Sequence, residues 1–461
     1  MRRTLLLLFF LFSSSALLYA TPNDSLLSAI RQGDLNGVQR WIDQPGVDVN
    51  YGEGVPIYLA SNSKNTEIVR SLLNRGAILE GVAIPSGITP MHNAAAYGPD
   101  EMLKLMLEHG GSANSVDNTG ATPLHWAAAV GAAGRAKLLS SVGATLDLRT
   151  KAGFTAWNIA TLWNRKDVAD FLKKQGANTD PPPPLTIHGP YLGENPPGDQ
   201  PQRFPESLMA APFANHGPLR FSKDGRELIG SQNAAPVGGI WTMRESAAGW
   251  SAQAVLPFTR EHHDAFPVLG PDEDVLYFHS TRPPGGEQSG VIWFSKRTSK
   301  GWGDPEMLDL PTLPGRSLVP CSISDDGWLY GYTYGENVPG IRGGTDVFRV
   351  NLKASHPEIE LLGSPVNSDV VDIEPIIAPD GSYLLIASNR PAEGVGRIGL
   401  FVSYRMPDGS WSEPAVLGPS INTQGGAWRA FITRDGKYLF FQRAWDQYYW
   451  VSTSVIEAKR P

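Results

Sequence analysis

The residues best suited to chemistry stand just ahead of short apolar runs in the C-terminal part of the chain. They are His216, His263 with Asp264, Ser317, Glu374, and Arg429 beside Trp428. Two further segments, "HSTRP" and "ASNRP", supply Arg282 and Arg390. Arginines and an aromatic ring near carboxylates suit a polar ligand, sugar-like or carboxylated. The favoured reading is that the same groups satisfy one another and the exposed ends of strands. A base such as His263, or a tyrosine, with an arginine to neutralise a uronate carboxylate, is the minimum for a polysaccharide lyase.

No residue is assigned a catalytic role. The chain has no G-x-S-x-G, no H-E-x-x-H and no P-loop, so the motif-borne chemistries lack support. The Asp-box pattern S-x-D-x-G-x-T-W is missing too. "GENVPGIRGG" and "RPAEGVGRIG" are glycine-rich but join strand-like runs rather than open helices, so no phosphate cradle is expected. His262, His263 and His279 lie close in sequence, with His216 upstream. Adjacent histidines on a strand point to opposite faces, and no dense ligand spacing appears, so neither a metal nor another cofactor is expected. Cys321, the single cysteine, sits in the apolar run "SLVPCSISDDG" and reads as a buried, inert thiol.

These groups must be positioned by a repeating β element. Its turn reads "FSKDGRELIG", "LGPDEDVLYF", "ISDDGWLYGY", "IAPDGSYLLI" and "ITRDGKYLFF", with the aspartates at 224, 272, 326, 380 and 435. An apolar-aromatic run follows in each unit: Ile240-Trp241, Ile292-Trp293, Val347-Phe348, Leu400-Phe401 and Tyr449-Trp450. Most units close on a fourth strand, as in "GWSAQAVLP" and "SWSEPAVLG". Four strands in about 50 residues, repeated, make the blade of a propeller. The count is about five, with six as the alternative. The last unit has no fourth strand of its own. "PYLGENPPG" (190–198) looks like "AVLGPSINT" (415–423), so it is expected to supply that strand and seal the ring.

The first 180 residues carry a different beat. "TPMHNAAA" begins at Thr89, "TPLHWAAA" at Thr122 and "TAWNIATL" at Thr155, steps of 33 residues, with a weaker copy at "VPIYLASN". Glycines at 76, 110, 143 and 176 keep the period. A 33-residue repeat with a T-P-L-H-x-A core resembles the ankyrin family over residues 23–180, in about five repeats. Thr122 is expected to cap a helix that starts at Pro123. His92 and His125 are expected to tie neighbouring loops together rather than bind ligands. Each repeat needs a neighbour to cover its apolar face, which gives a stacked solenoid with a concave, protein-binding surface.

Residues 186–461 resemble the WD40-like propeller repeats of the TolB and PD40 type, carried by "FSKDGRELIG", "IAPDGSYLLIASNRP" and "TRDGKYLFFQ". That resemblance implies an exported protein that binds proteins or glycans. Oligogalacturonate lyases, similar to this propeller class, hold manganese through histidines.

"MRRTLLLLFF LFSSSALLYA" has a basic head, a short apolar core and a small final residue, as a secretory signal requires. The expected organisation is therefore multidomain. A signal peptide occupies 1–20, an all-α ankyrin solenoid 21–180, a proline-rich linker ("PPPP") 181–187 and an all-β propeller 188–461. Formal net charge is -7, and -9 without Arg2 and Arg3, which argues against a nucleic-acid partner. No later apolar run is long enough to span a bilayer, so no integral membrane segment is expected after signal cleavage. The leading functional reading is a periplasmic or secreted binding scaffold. A protein partner would sit on the ankyrin concave face, and a glycan or peptide at the propeller mouth formed by His216, His263, Asp264, Arg282, Glu374, Arg390, Trp428 and Arg429. The alternative is a glycan-active, lyase-like enzyme with the propeller as catalytic domain.

Overall fold

A computed structural model describes residues 21–460, apart from 63, 81–86, 205–215, 233–238, 260, 261, 284–289, 312, 314, 336–343, 394 and 444–446. The expected signal, residues 1–20, lies outside the described residues. Internal contacts divide the chain into two compact units, one ending at Ser115 and the other running from Val116.

The first unit holds three helical pairs: α1 (Pro22–Gln32) with α2 (Leu35–Trp41), α3 (Tyr51–Asn62) with α4 (Thr66–Leu73), and α5 (Pro90–Tyr97) with α6 (Asp100–Glu108). Helix starts follow from their caps. Thr21 and Asp24 form a reciprocal capping box ahead of α1, and Asn65 accepts the Glu67 and Ile68 amides ahead of α4. Leu26, Ile30, Val38, Ile68, Leu72, Met91 and Met106 are fully buried between the pairs. At the cap of α5 the Thr89 amide donates to His92 Nδ1 at 3.1 Å.

The second unit opens with two more pairs, α7 (Pro123–Val130) with α8 (Ala133–Ser141) and α9 (Ala156–Leu162) with α10 (Lys166–Lys174). Among the described residues this makes five helical pairs, as the repeat predicts. The Thr122 amide donates to His125 Nδ1 at 3.1 Å, which leaves that nitrogen an acceptor and puts the ring proton on Nε2. Nε2–H then donates to Phe154 O at 3.1 Å, in the loop that opens the next repeat. The tie expected of His125 is there. The last repeat replaces the histidine with Asn158, which accepts from the Thr155 amide at 2.9 Å and donates to Asp180 O at 2.9 Å. Ala127, Ala128 and Ala129 are fully buried, so α7 and its neighbours approach closely. Gly143 ends the α8 turn at φ +89°, a conformation that a side chain disfavours.

Beyond the solenoid the described strands form five antiparallel sheets, so the six-blade alternative falls away. From axis to rim, the first blade runs His216–Phe221, Glu227–Gln232, Gly239–Ser246 and Ala254–Val255. The second runs Asp264–Leu269, Val275–Ser280, Val291–Thr298 and Glu306–Met307. The third runs Arg316–Ile323, Trp328–Gly335, Thr345–Asn351 and Glu360–Leu361. The fourth runs Asp372–Ile377, Tyr383–Ser388, Gly399–Tyr404 and Ala415–Val416. The fifth has Ala427–Ile432, Tyr438–Arg443 and Gln447–Ser452 from its own sequence. The recurring aspartate of the first turn is structural. Asp224 accepts from Ser222 Oγ at 2.6 Å and the Arg226 amide at 3.0 Å, and Asp435 repeats this with Thr433 and Lys437.

The ring is closed by its own N-terminal end, but not by the residues expected. Gln202 and Arg203 pair with Trp450 and Tyr449, and the Phe204 amide donates to Tyr448 O at 2.8 Å. Residues 190–198 do not form the outer strand. Pro196 and Pro197 have no N–H to donate, and prolines are excluded from a continuous ladder. Instead Tyr191 turns into the seam, buried, with ring centroids 5.1 Å from Phe221 of the first blade and 5.6 Å from Trp450 of the last. The stretch expected as a spacer is bonded as well. The Leu185 amide donates to Trp250 O, and the Trp250 amide to Ile187 O.

Candidate functional site

The five inner strands can be aligned on their turns, at Phe221, Leu269, Ile323, Ile377 and Ile432. Three residues earlier come Pro218, Phe266, Pro320, Glu374 and Arg429. Where this position is not proline, the backbone is left-handed, with φ +56° at Phe266, +51° at Glu374 and +48° at Arg429. The ladder slips by one residue at the same place in each of these strands. A left-handed non-glycine residue costs about 1–3 kcal/mol and persists only where its surroundings hold it. Here neighbouring blades do so. The Phe266 amide donates to Ser231 Oγ of the first blade at 3.2 Å, and the Arg429 amide to Glu374 Oε2 of the fourth at 2.6 Å. Burial pushes the Glu374 carboxyl up from its ordinary range, opposed by the positive charges of Arg429 and Arg220.

The two arginines singled out in the sequence do one job in two blades. Arg282 meets Asp264 with both ends of its fork, at 2.5 and 2.8 Å, and Ser280 Oγ at 3.0 Å. Its guanidinium lies 5.5–5.7 Å from the ring centroids of Phe258, Phe278 and Trp293. Arg390 reaches Asp372 at 3.1 Å, and Ser368 Oγ donates to the other Asp372 oxygen at 2.6 Å. Asp264 and Asp372 are fully buried and open the inner strands of their blades. Each arginine therefore clamps the start of its inner strand to the loop after the second. Burial still raises Asp264 to about 6, against the pull of Arg282 and Ser280.

The other expected residues are dispersed. The His263 amide and carbonyl bond Thr281, and Trp428 is buried in the core shared by the third, fourth and fifth blades. The Ser317 hydroxyl, also buried, accepts the Gly290 amide at 3.1 Å. His216 pairs with Gln232 through the backbone; its side chain lies outside the described residues. Cys321 is buried, as its apolar context predicts, and burial pushes its thiol well above the ordinary range. His279 is buried with Nδ1–H donating to Leu318 O at 3.0 Å, and burial lowers it to about 4. A Cβ on Gly290 would lie 2.0 Å from its ring, so that glycine is required.

Three residues near the axis were missed. Arg220 and Arg434 both reach the third blade, at Cys321 O (2.5 Å) and at Ile323 O (2.6 Å) with Asp325 (2.8 Å). Tyr332 is buried in the core between the third, fourth and fifth blades. The signal for Arg220 was available. Aligned on the turns, it is the one charge at a level otherwise holding Val268, Ser322, Ile376 and Phe431.

Comparison with known proteins bears on the helical part. The family model for ankyrin repeats (3 copies) matches residues 26–117 and 92–182. An ankyrin repeat protein of fowlpox virus is 29% identical over 107 residues, covering 22% of this chain and 31% of that protein. Zygote-specific protein 3 of Chlamydomonas reinhardtii is 35% identical over 101 residues, 21% of this chain and 26% of its own. The SMC5-SMC6 complex localization factor protein 1 of Bos taurus is 34% identical over 73 residues, 15% and 7% of the two chains. The chain thus spans less than a third of the length of each of these relatives. Family match and helical geometry agree: the N-terminal region is an array of ankyrin repeats, followed by a β domain with a five-bladed propeller arrangement.

Proposed function

We propose that this chain is an exported interaction scaffold, with a propeller of the WD40-like TolB and PD40 type and a signal in residues 1–20. The observation that carries the reading is how the candidate chemical groups are used. Arg282 is taken by Asp264, Arg390 by Asp372, and Glu374 by the Arg429 amide. Groups held by one another support surfaces for recognition more than a reacting constellation. Ankyrin repeats present such surfaces, and Val116 and Leu148, on successive loops of the second unit, are 55% and 36% exposed.

A photo-crosslinking residue at Val116 or Leu148 in the full-length chain, expressed in its own cell, tests this. Discrete adducts that disappear when the position moves to a buried site such as Ala128 are expected. Mass spectrometry of the mature protein should begin at Thr21. No adduct at either position, together with new double-bond absorbance on incubation with acidic polysaccharide, would replace the scaffold with a lyase.

A further inference from the structure

The propeller axis holds a cavity of about 40 Å³. Arg220, Val268, Ser322, Ile376 and Phe431, one from each inner strand, line it, and Arg434 lies at the turn end. A buried water needs roughly 10–15 Å³ on this scale, so the space, roughly three waters' worth, has room for a halide-sized ion. Among the described lining residues two are arginines and none is acidic.

Arg220 is the unusual member. It is 8% exposed, and its guanidinium stands 5.5 Å from the Phe431 ring centroid. Nη1 donates to Leu219 O at 2.6 Å and Nη2 to Cys321 O at 2.5 Å. A guanidinium carries five N–H donors, and both acceptors here are neutral carbonyls. Among the described residues no carboxylate lies within ion-pair distance of it. Glu374, whose field does reach Arg220, holds the Arg429 amide and is shared with the Arg429 charge. Arg434 has its own partner in the exposed Asp325. Arg220 is thus a buried cation on the cavity wall whose opposing charge, Glu374, is shared with Arg429 and makes no direct bond to it, and a buried charge so incompletely compensated is costly.

We propose that the axial cavity binds a small inorganic anion of halide size, held by the remaining N–H donors of Arg220. The anion would neutralise the buried guanidinium and brace the inner strands of the first and third blades, which Arg220 already joins. This goes beyond the scaffold reading and does not depend on it.

Full-length protein crystallised in sodium bromide, with data at the bromine edge, gives the direct test. An anomalous peak in contact with the Arg220 guanidinium is expected. In solution, sodium chloride should raise the unfolding temperature saturably relative to sodium gluconate at equal ionic strength. The rise should reach about 3 °C once chloride is tenfold above its Kd, and should vanish in Arg220→Met. If that variant does not fold, the bromide map of the unmodified protein decides by itself. A cavity with no bromine signal, or equal melting in the two salts, would overturn the proposal.

Discussion

Phe204→Ala is the sharpest test of how the ring closes. Phe204 is fully buried although it follows the exposed Gln202 and Arg203. Its ring lies 5.2 Å from Phe440, 5.8 Å from Trp450 and 5.8 Å from Phe221, so one side chain bridges the last blade and the first. Truncating a buried phenylalanine costs about 3–5 kcal/mol, transfer and cavity terms together. The aromatic contacts place this site in the upper half of that range, about 4 kcal/mol. Urea unfolding followed by tryptophan fluorescence reads the loss directly, because Trp450 and Trp250 sit at the same seam. With a slope of about 3 kcal/mol/M, the midpoint should fall by about 1.3 M. Arg203→Ala, one residue earlier and exposed, should move it by less than 0.2 M, since surface substitutions stay within about 0.5 kcal/mol. Equal shifts for the two variants, or a Phe204→Ala shift below about 0.3 M, would refute closure by this segment.

Three further outcomes follow from the same geometry. Arg282→Met strands the buried Asp264 carboxylate and should cost about 3–5 kcal/mol at pH 7, while Asp264→Asn combined with Arg282→Met should recover part of it, measured by chemical unfolding. His279, lowered to about 4 in the folded state, contributes stability present above its unfolded value near 6.5 and lost as pH falls towards 4. The stability difference between the native chain and His279→Gln should therefore shrink by about 3 kcal/mol across that window, and a flat difference would rule out a buried neutral imidazole. His125→Asn should be milder than His125→Ala, because Asn158 already makes the equivalent two bonds in the last repeat; the alanine variant is expected to lose about 1–3 kcal/mol in thermal unfolding.

Local sequence determined the elements. A threonine, a proline and a histidine three residues after the threonine are enough to start a helix and tie it to the next loop, because every bond involved lies within one repeat period. The aspartate turns were legible for the same reason, each closing on residues two positions away. Five such turns gave the blade count, and the buried state of Cys321 followed from its apolar neighbours.

Tertiary structure decided what those elements do together. Arg282 and Asp264 are 18 residues apart and Arg220 and Cys321 are 101 apart, and no local pattern marks either pair. The arginines that looked available for a ligand are held by aspartates because two elements of the same blade converge on them. The closing strand was misplaced because similarity to a fourth strand ignored the missing donors of Pro196 and Pro197. It also ignored Phe204, the side chain that fits the seam. Closure depends on which residue fills a space that exists only once the first and last blades meet, and that space has no counterpart in the order of residues.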